Sequence, residues 1–429
     1  MALSSFVRER AGAVRGRALG VLILVPLVPS DAARGQEAPG PEAAPPPHEL
    51  RVEWKAQTFA PDALPDELRR AKREIEAWAE WALATAQPYR ILVSEDAGMV
   101  SLLLPEPEEG PVVVVGDDGR RNRNKGADRK LKNRAGGKKK GESEEPPAPA
   151  PTFADRVTSV QAALDEMLPA PRERIVGKAQ WEKDALRMLG ATGVVVMVED
   201  EAAFHDVLER AARANPYMAD FVERAKRAKL TGCVLEKPLL GVVMRSPEGM
   251  SEFSLENELV KRCAELALIQ RFGWLPFWAR DCAASYFEFQ ELGTFYSFTG
   301  GERFVAAADG HADKEERARQ LLRNGRFEDD EAFFQALAHW HSDTWDEDAA
   351  ACGAVLFRYL AQEHRVELPR IFEGWRAEME KGGNEALAGG RWSKNTAYGM
   401  PPETALRVLR ESGVGEHPLL DELLRFAGG

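Results

Sequence analysis

Cysteine and histidine are scarce in this chain, at four and seven in 429 residues. The four thiols, Cys233, Cys263, Cys282 and Cys352, are too few to form a disulfide framework. In an oxidising compartment they leave room for one or two bridges, and equally for small buried thiols. Histidine pairs at metal-ligand spacing are missing. His339 and His341, two apart, point to different sides of a helix, and His48, His205, His311, His364 and His417 have no second histidine within four residues. There is no G-x-S-x-G elbow for a Ser/His/Asp hydrolase. Gly300-Gly301 runs on to Glu302 and Arg303 without the Lys-Ser/Thr pair of a phosphate loop, so it reads as a turn. Beyond the first 33 residues no segment approaches the roughly 20 apolar residues of a membrane-spanning helix.

What is present is a chain long enough for one large domain or two ordinary ones, with 44% hydrophobic residues to fill a core. Arg8, Arg10, Arg15 and Arg17 precede the apolar run Ala18 to Val28, and small residues follow at Ser30, Ala32 and Ala33. This is the layout of a signal peptide over residues 1–33, so a soluble, exported product is expected, periplasmic or extracellular. Residues 34–52, with Gly35 to Pro47 rich in Pro, Ala and Glu, read as an extended linker.

The net charge of −12 conceals a segregation, because Arg120 to Lys140 carries eleven Lys/Arg against the single Asp128. With the acidic, proline-rich Glu142 to Pro151 it makes residues 117–151 an insertion almost without large apolar side chains. Such a segment cannot bury enough surface to offset its ordering entropy, so disorder is expected. Its basic half suits an acidic polymer, anionic lipid or nucleic acid, although no aromatics interleave for base stacking.

Periodicity places the elements. In the N-terminal α/β segment, residues 53–116, the apolar residues Leu68, Ala71, Ile75, Trp78, Ala79 and Ala82 predict an amphipathic helix over Pro65 to Ala86, ended by Pro88. Tyr89 to Val93, Met99 to Leu104 and Val112 to Val115 read as strands. In residues 152–429, Thr152 and Asp155 have the spacing of a capping box before a helix carrying Val157, Val160, Leu164 and Met167. Gly193 to Val198 is a buried strand, Asp200 opens a helix that Asn215-Pro216 breaks, and Cys233 to Leu235 and Leu239 to Met244 are two further strands. From Ser251 onward the chain is mostly helical, with periodic segments at Glu256 to Phe272, Pro276 to Gln290, Asp330 to His339, Asp348 to Glu363 and Leu368 to Glu380. Strands early and helices late give an α+β class.

Two of these helices carry the chemistry. The first reads Leu255-Glu256-Asn257-Glu258-Leu259-Val260-Lys261-Arg262. The second reads Leu275-Pro276-Phe277-Trp278-Ala279-Arg280-Asp281-Cys282-Ala283-Ala284-Ser285-Tyr286-Phe287-Glu288. Together they resemble the gluzincin, or peptidase MA-like, metallohydrolases, which place H-E-x-x-H on one helix and a segment close to L-P-x-W-L-x-E-G-L-A-x-Y-F-E on the next. There the two histidines and the later Glu bind Zn²⁺, and the Glu of the first motif acts on the metal-bound water.

On this frame Asn257 stands in place of the first His, Glu258 matches the base, Lys261 replaces the second His, and Asp281 replaces the ligand Glu. Leu275, Pro276, Trp278, Ala284, Tyr286, Phe287 and Glu288 match, while Cys282 takes a Gly position. The resemblance implies a zincin-like core from about Gly193 to Glu380, with Glu258 as a vestigial base and Asn257, Lys261 and Asp281 at degenerate ligand positions. No cofactor is then expected, since an amide is a poor zinc ligand and an ammonium excludes a dication.

Two arrangements of the charges stand open. In one, the Lys261 ammonium takes the metal's place between Glu258 and Asp281. In the other, Glu258 pairs with Arg262 and Lys261 with Glu265 along an ordinary exposed helix face. The expected role is that of an exported, catalytically inactive, metallopeptidase-like binding or structural module, with a peptide or protein in the former substrate groove. Two alternatives are a hydrolase using Glu258 with a non-standard metal site, and a surface protein binding acidic polymers through Arg120 to Lys140.

Overall fold

Short β-branched and leucine-rich runs build one seven-stranded sheet. The strands are β1 (Val52–Trp54), β2 (Gln57–Phe59), β3 (Arg90–Val93), β4 (Met99–Leu103), β5 (Gly193–Val198), β6 (Gly232–Leu235) and β7 (Leu240–Met244), in the order β2-β1-β3-β4-β5-β7-β6. The computed structural model describes residues 50–85, 87–105, 153–169, 191–227, 232–236, 238–245, 255–273, 275–293, 314–339, 347–388, 400–414 and 418–428. The signal-like segment, Val112 to Val115, residues 117–151, Thr152, Gly300-Gly301 and His341 lie outside them.

At the centre β4 and β7 run parallel to β5, with Val194↔Leu240 through Val198↔Met244 in register. All six residues of β5 are buried, which is why it reads as an unbroken Val/Met run rather than an alternating one. β6 is antiparallel to β7 and forms one edge. At the other edge β1 and β2 make a hairpin that the sequence did not predict. Its turn residues Lys55 and Ala56 adopt positive φ, at 47° and 56°, without the Gly or Asn that normally announces such a turn. Leu50 and Val52 are buried, so folded structure begins within the last residues of the expected linker.

Helix α1 (Arg69–Thr85) follows a short 3-10 turn at Asp66–Leu68 and buries Ala71, Ile75, Trp78, Ala79, Trp81 and Ala82, as its spacing predicts. It packs with α3 (Glu201–Ala214): the Trp81 indole donates to Asp206 at 2.9 Å, and the Arg210 guanidinium lies 5.1 Å from the Trp78 ring centre. Asp200 caps α3 by accepting from the Ala203 N–H at 2.8 Å. Between α1 and α3 comes α2 (Phe153–Met167), and α4 (Ala219–Arg227) follows α3.

The remaining helices are α5 (Leu255–Phe272), α6 (Phe277–Leu292), α7 (Lys314–Arg323), α8 (Asp330–His339), α9 (Glu347–Glu363), α10 (Leu368–Ala388), α11 (Pro402–Glu411) and α12 (Leu419–Gly428). α10 runs past the predicted end at Glu380. Aromatic rings tie several of them together. Trp278 of α6 meets Trp375 of α10 at 4.8 Å and Phe334 of α8 at 5.5 Å, and Phe372 of α10 meets Phe272 of α5 at 5.5 Å.

The class is therefore mixed α+β, with the sheet early and a helical C-terminal half. The described residues belong to one compact unit, Pro47–Gly429, with strands from both sides of the insertion in the same sheet. No described helix is long and apolar enough to cross a membrane.

Candidate functional site

Helix α5 carries Asn257, Glu258, Lys261, Arg262 and Glu265 at spacings that put them on one stripe, which a periodicity argument assigns to solvent. The structure buries that stripe: the exposures are 3%, 0%, 0%, 2% and 2%. The expected exposed helix face is thus corrected. The stripe is enclosed because α5 lies between the sheet and α6, and water reaches the helix only near its ends, at Glu256 and around Gln270 and Arg271.

Within the seam the Lys261 Nζ stands 2.8 Å from the Asp281 Oδ1, with the two side chains 0% and 1% exposed. One turn earlier on α5, the Asn257 amide donates to the Glu288 Oε1 at 2.8 Å. The pairings 257 with 288 and 261 with 281 make α5 and α6 antiparallel. Glu258 does not share the ammonium. Its Oε2 accepts from the Arg262 Nε at 3.0 Å and Nη2 at 2.7 Å, and Arg262 Nη1 donates to Glu265 Oε1 at 3.0 Å. Each proposed arrangement is therefore half right: Lys261 takes Asp281, Glu258 takes Arg262, and Lys261 has no pairing with Glu265. At the outer end Arg280 donates to Glu236 at 2.6 Å.

The sheet is shaped to admit this network. A Cβ on Gly232 of β6 would stand 2.6 Å from the Glu258 carboxylate and 3.3 Å from Arg262 Nε, and one on Gly241 of β7 would meet the Arg262 Cβ at 3.3 Å. In the β6–β7 register Val234 pairs with Gly241, so the two glycines share the face turned to α5. Their missing side chains make room for the guanidinium–carboxylate pair.

Burial works against the charge on Arg262, but Glu258, Glu265 and Asp281 outweigh it and hold the guanidinium charged. Burial also pushes the Glu265 carboxyl above the usual range, against the pull of Arg262. Among the described residues three cations, Lys261, Arg262 and Arg280, face the enclosed carboxyls Glu258, Glu265, Asp281 and Glu288, and a raised Glu265 lowers the negative charge they carry. The four cysteines are free and buried, so of the two readings left open by the sequence the structure shows the buried thiols. Burial pushes the thiols of Cys233 and Cys263 up to about 12.

The donor set does not suit zinc. Asn257 turns its amide N–H₂ to Glu288, Lys261 offers only N–H donors, and Asp281 supplies a single carboxylate. Among the described residues no three His, Cys, Asp or Glu gather as metal ligands. A cavity of about 850 Å³ lies elsewhere, among α7, α8, α11 and α12, with Phe327, Glu331, Glu403, Arg410 and Leu424 in its wall and none of the α5–α6 seam.

Of the sequence-predicted site residues, Asn257, Glu258, Lys261 and Asp281 all fall in this seam. Arg262, Glu265, Glu288 and Gly232 complete it and were not singled out as site residues. The available signal was the run of acids and bases on a single stripe of a helix whose other residues from Leu259 to Ile269 are apolar. No family model, curated protein or solved structure matches the chain.

Proposed function

We propose that this chain is an exported, metallopeptidase-like protein without peptidase chemistry, serving as a binding or structural module. One observation carries this reading: an ammonium, Lys261, contacts Asp281 inside a closed helix seam, where the resembled family keeps a dication. A peptidase base must reach water and substrate. Glu258 is fully enclosed and its Oε2 is gripped by two N–H groups of Arg262, which opposes the alternative of a hydrolase with a non-standard metal. A sheet edge beside α5 remains, β6, and edge strands accept extended chains through main-chain hydrogen bonds. The partner that fits such an edge is a peptide or an extended segment of another protein.

The test is elemental mass spectrometry of the purified protein, with and without added Zn²⁺. No zinc even when it is supplied is the expected result. Zinc at one per chain would overturn the reading and place the metal on ligands other than those of the seam.

A further inference from the structure

We propose that Lys261 and Asp281 form an intramolecular amide bond, a self-made crosslink between α5 and α6. The inference rests on the reading that this pair holds no metal. Three observations carry it. The Lys261 Nζ lies 2.8 Å from the Asp281 Oδ1, a distance at which nucleophile and carboxyl carbon are already neighbours. Both side chains are sealed, at 0% and 1% exposure. Nζ and both carboxylate oxygens also lack any partner of hydrogen-bond geometry, so the contact is close but not directional. A buried ion pair whose remaining protons and lone pairs go unmet is a costly arrangement, and condensation removes both charges at once.

The chemistry balances without an oxidant or cofactor. The ammonium passes one proton to the carboxylate across the contact, leaving an amine and a carboxylic acid. The Nζ lone pair attacks Cγ, and a Nζ–Cγ bond forms. The tetrahedral centre then expels one carboxyl oxygen, which leaves as water with the acid proton and a second proton from nitrogen. The second proton passes from nitrogen to the departing oxygen across the same contact. Release of water from a sealed, partly apolar seam helps to draw the condensation forward. The product ties residues 20 apart in sequence on two antiparallel helices, which suits a structural role outside the cell.

Peptide mapping decides the matter. The purified full chain is denatured, reduced and digested with trypsin, and the fragments are weighed. The expected result is a branched species joining the peptide that contains Lys261 to the one that contains Asp281, one water lighter than their sum, with no cleavage after Lys261. It should vanish in Lys261→Ala and in Asp281→Ala. If either variant fails to fold, the wild-type map still decides. Full recovery of separate peptides, one ending at Lys261 and one starting at Asp281, would overturn the proposal. An unlinked chain that takes no zinc removes only the crosslink, whereas a chain that binds zinc removes the functional reading itself.

Discussion

Two ion pairs in this molecule have nearly the same length and opposite surroundings. Lys226 of α4 meets Glu209 of α3 at 2.6 Å with side-chain exposures of 22% and 49%, and Arg262 meets Glu258 at 2.7 Å with almost none. At the surface, water already solvates both charges and salt screens them, so the pair adds little. In the seam the charges have given up their hydration, and every partner of the network is needed to offset that loss. Distance alone does not rank interactions. The enclosing medium and the alternatives open to each group do.

The largest break comes from Arg262→Ala, because among the described residues that side chain serves both Glu258 and Glu265. Removal takes the Arg262 cation away from two enclosed carboxyls, and stability in urea should fall by about 3–5 kcal/mol, enough to unfold a marginal domain. A loss as small as that of a surface pair would mean that water enters the seam. Next comes Gly232→Ala. Its new Cβ would stand 2.6 Å from the Glu258 carboxylate, which is clamped and cannot swing aside freely. We expect a loss of about 1–3 kcal/mol. No loss would show that the β6–α5 spacing is soft.

The pH dependence of Glu265 sharpens the comparison further. Its folded-state carboxyl titrates above the usual value because of burial, so the native state holds its proton where the unfolded chain has released it. The contribution to stability is fully present below the unfolded value and is lost as pH rises through the raised folded one. Glu265→Gln keeps a neutral side chain at every pH. Its stability relative to wild type should therefore improve as pH rises from about 4.5 toward neutrality, as read by urea titrations across that range. A difference that stays constant or worsens with pH would mean that Arg262 holds Glu265 ionised.

Much of this was legible in the chain. Gly193 to Val198 and Asp330 to His339 have the bounds expected, because a Val/Met run with no polar break and a helix opened by acids carry their own signals. The seam residues Asn257, Glu258, Lys261 and Asp281 were also found, through a motif resemblance. What local pattern hid was their burial. A stripe of charges on α5 looks the same whether it meets water or a second charged helix, and only tertiary packing places Arg280, Asp281 and Glu288 opposite it. The β1–β2 hairpin escaped for a different reason, since Lys55-Ala56 carries none of the usual turn chemistry. Gly232 and Gly241 read only as weak strand residues, and their purpose appears once α5 lies against them.

The smallest effect is expected at the other end of the comparison. The Lys226 ammonium donates to Glu209 at 2.6 Å and reaches Glu223 at 3.5 Å, and the hydrogen bond from Lys226 holds the Glu209 carboxyl below its usual range. Glu209 nonetheless sits in water, so its ion pair is screened and readily replaced by solvent. Lys226→Ala should leave the urea midpoint close to wild type, and the difference should shrink further when salt is raised toward 1 M, where the screening length falls to about 3 Å. The seam should not respond to salt in the same way, since no counter-ion can enter between Arg262 and Glu258. A midpoint for Lys226→Ala as low as that of Arg262→Ala would mean that α4 docks through this single contact, and that exposure is a poor guide to the strength of ion pairs in this molecule.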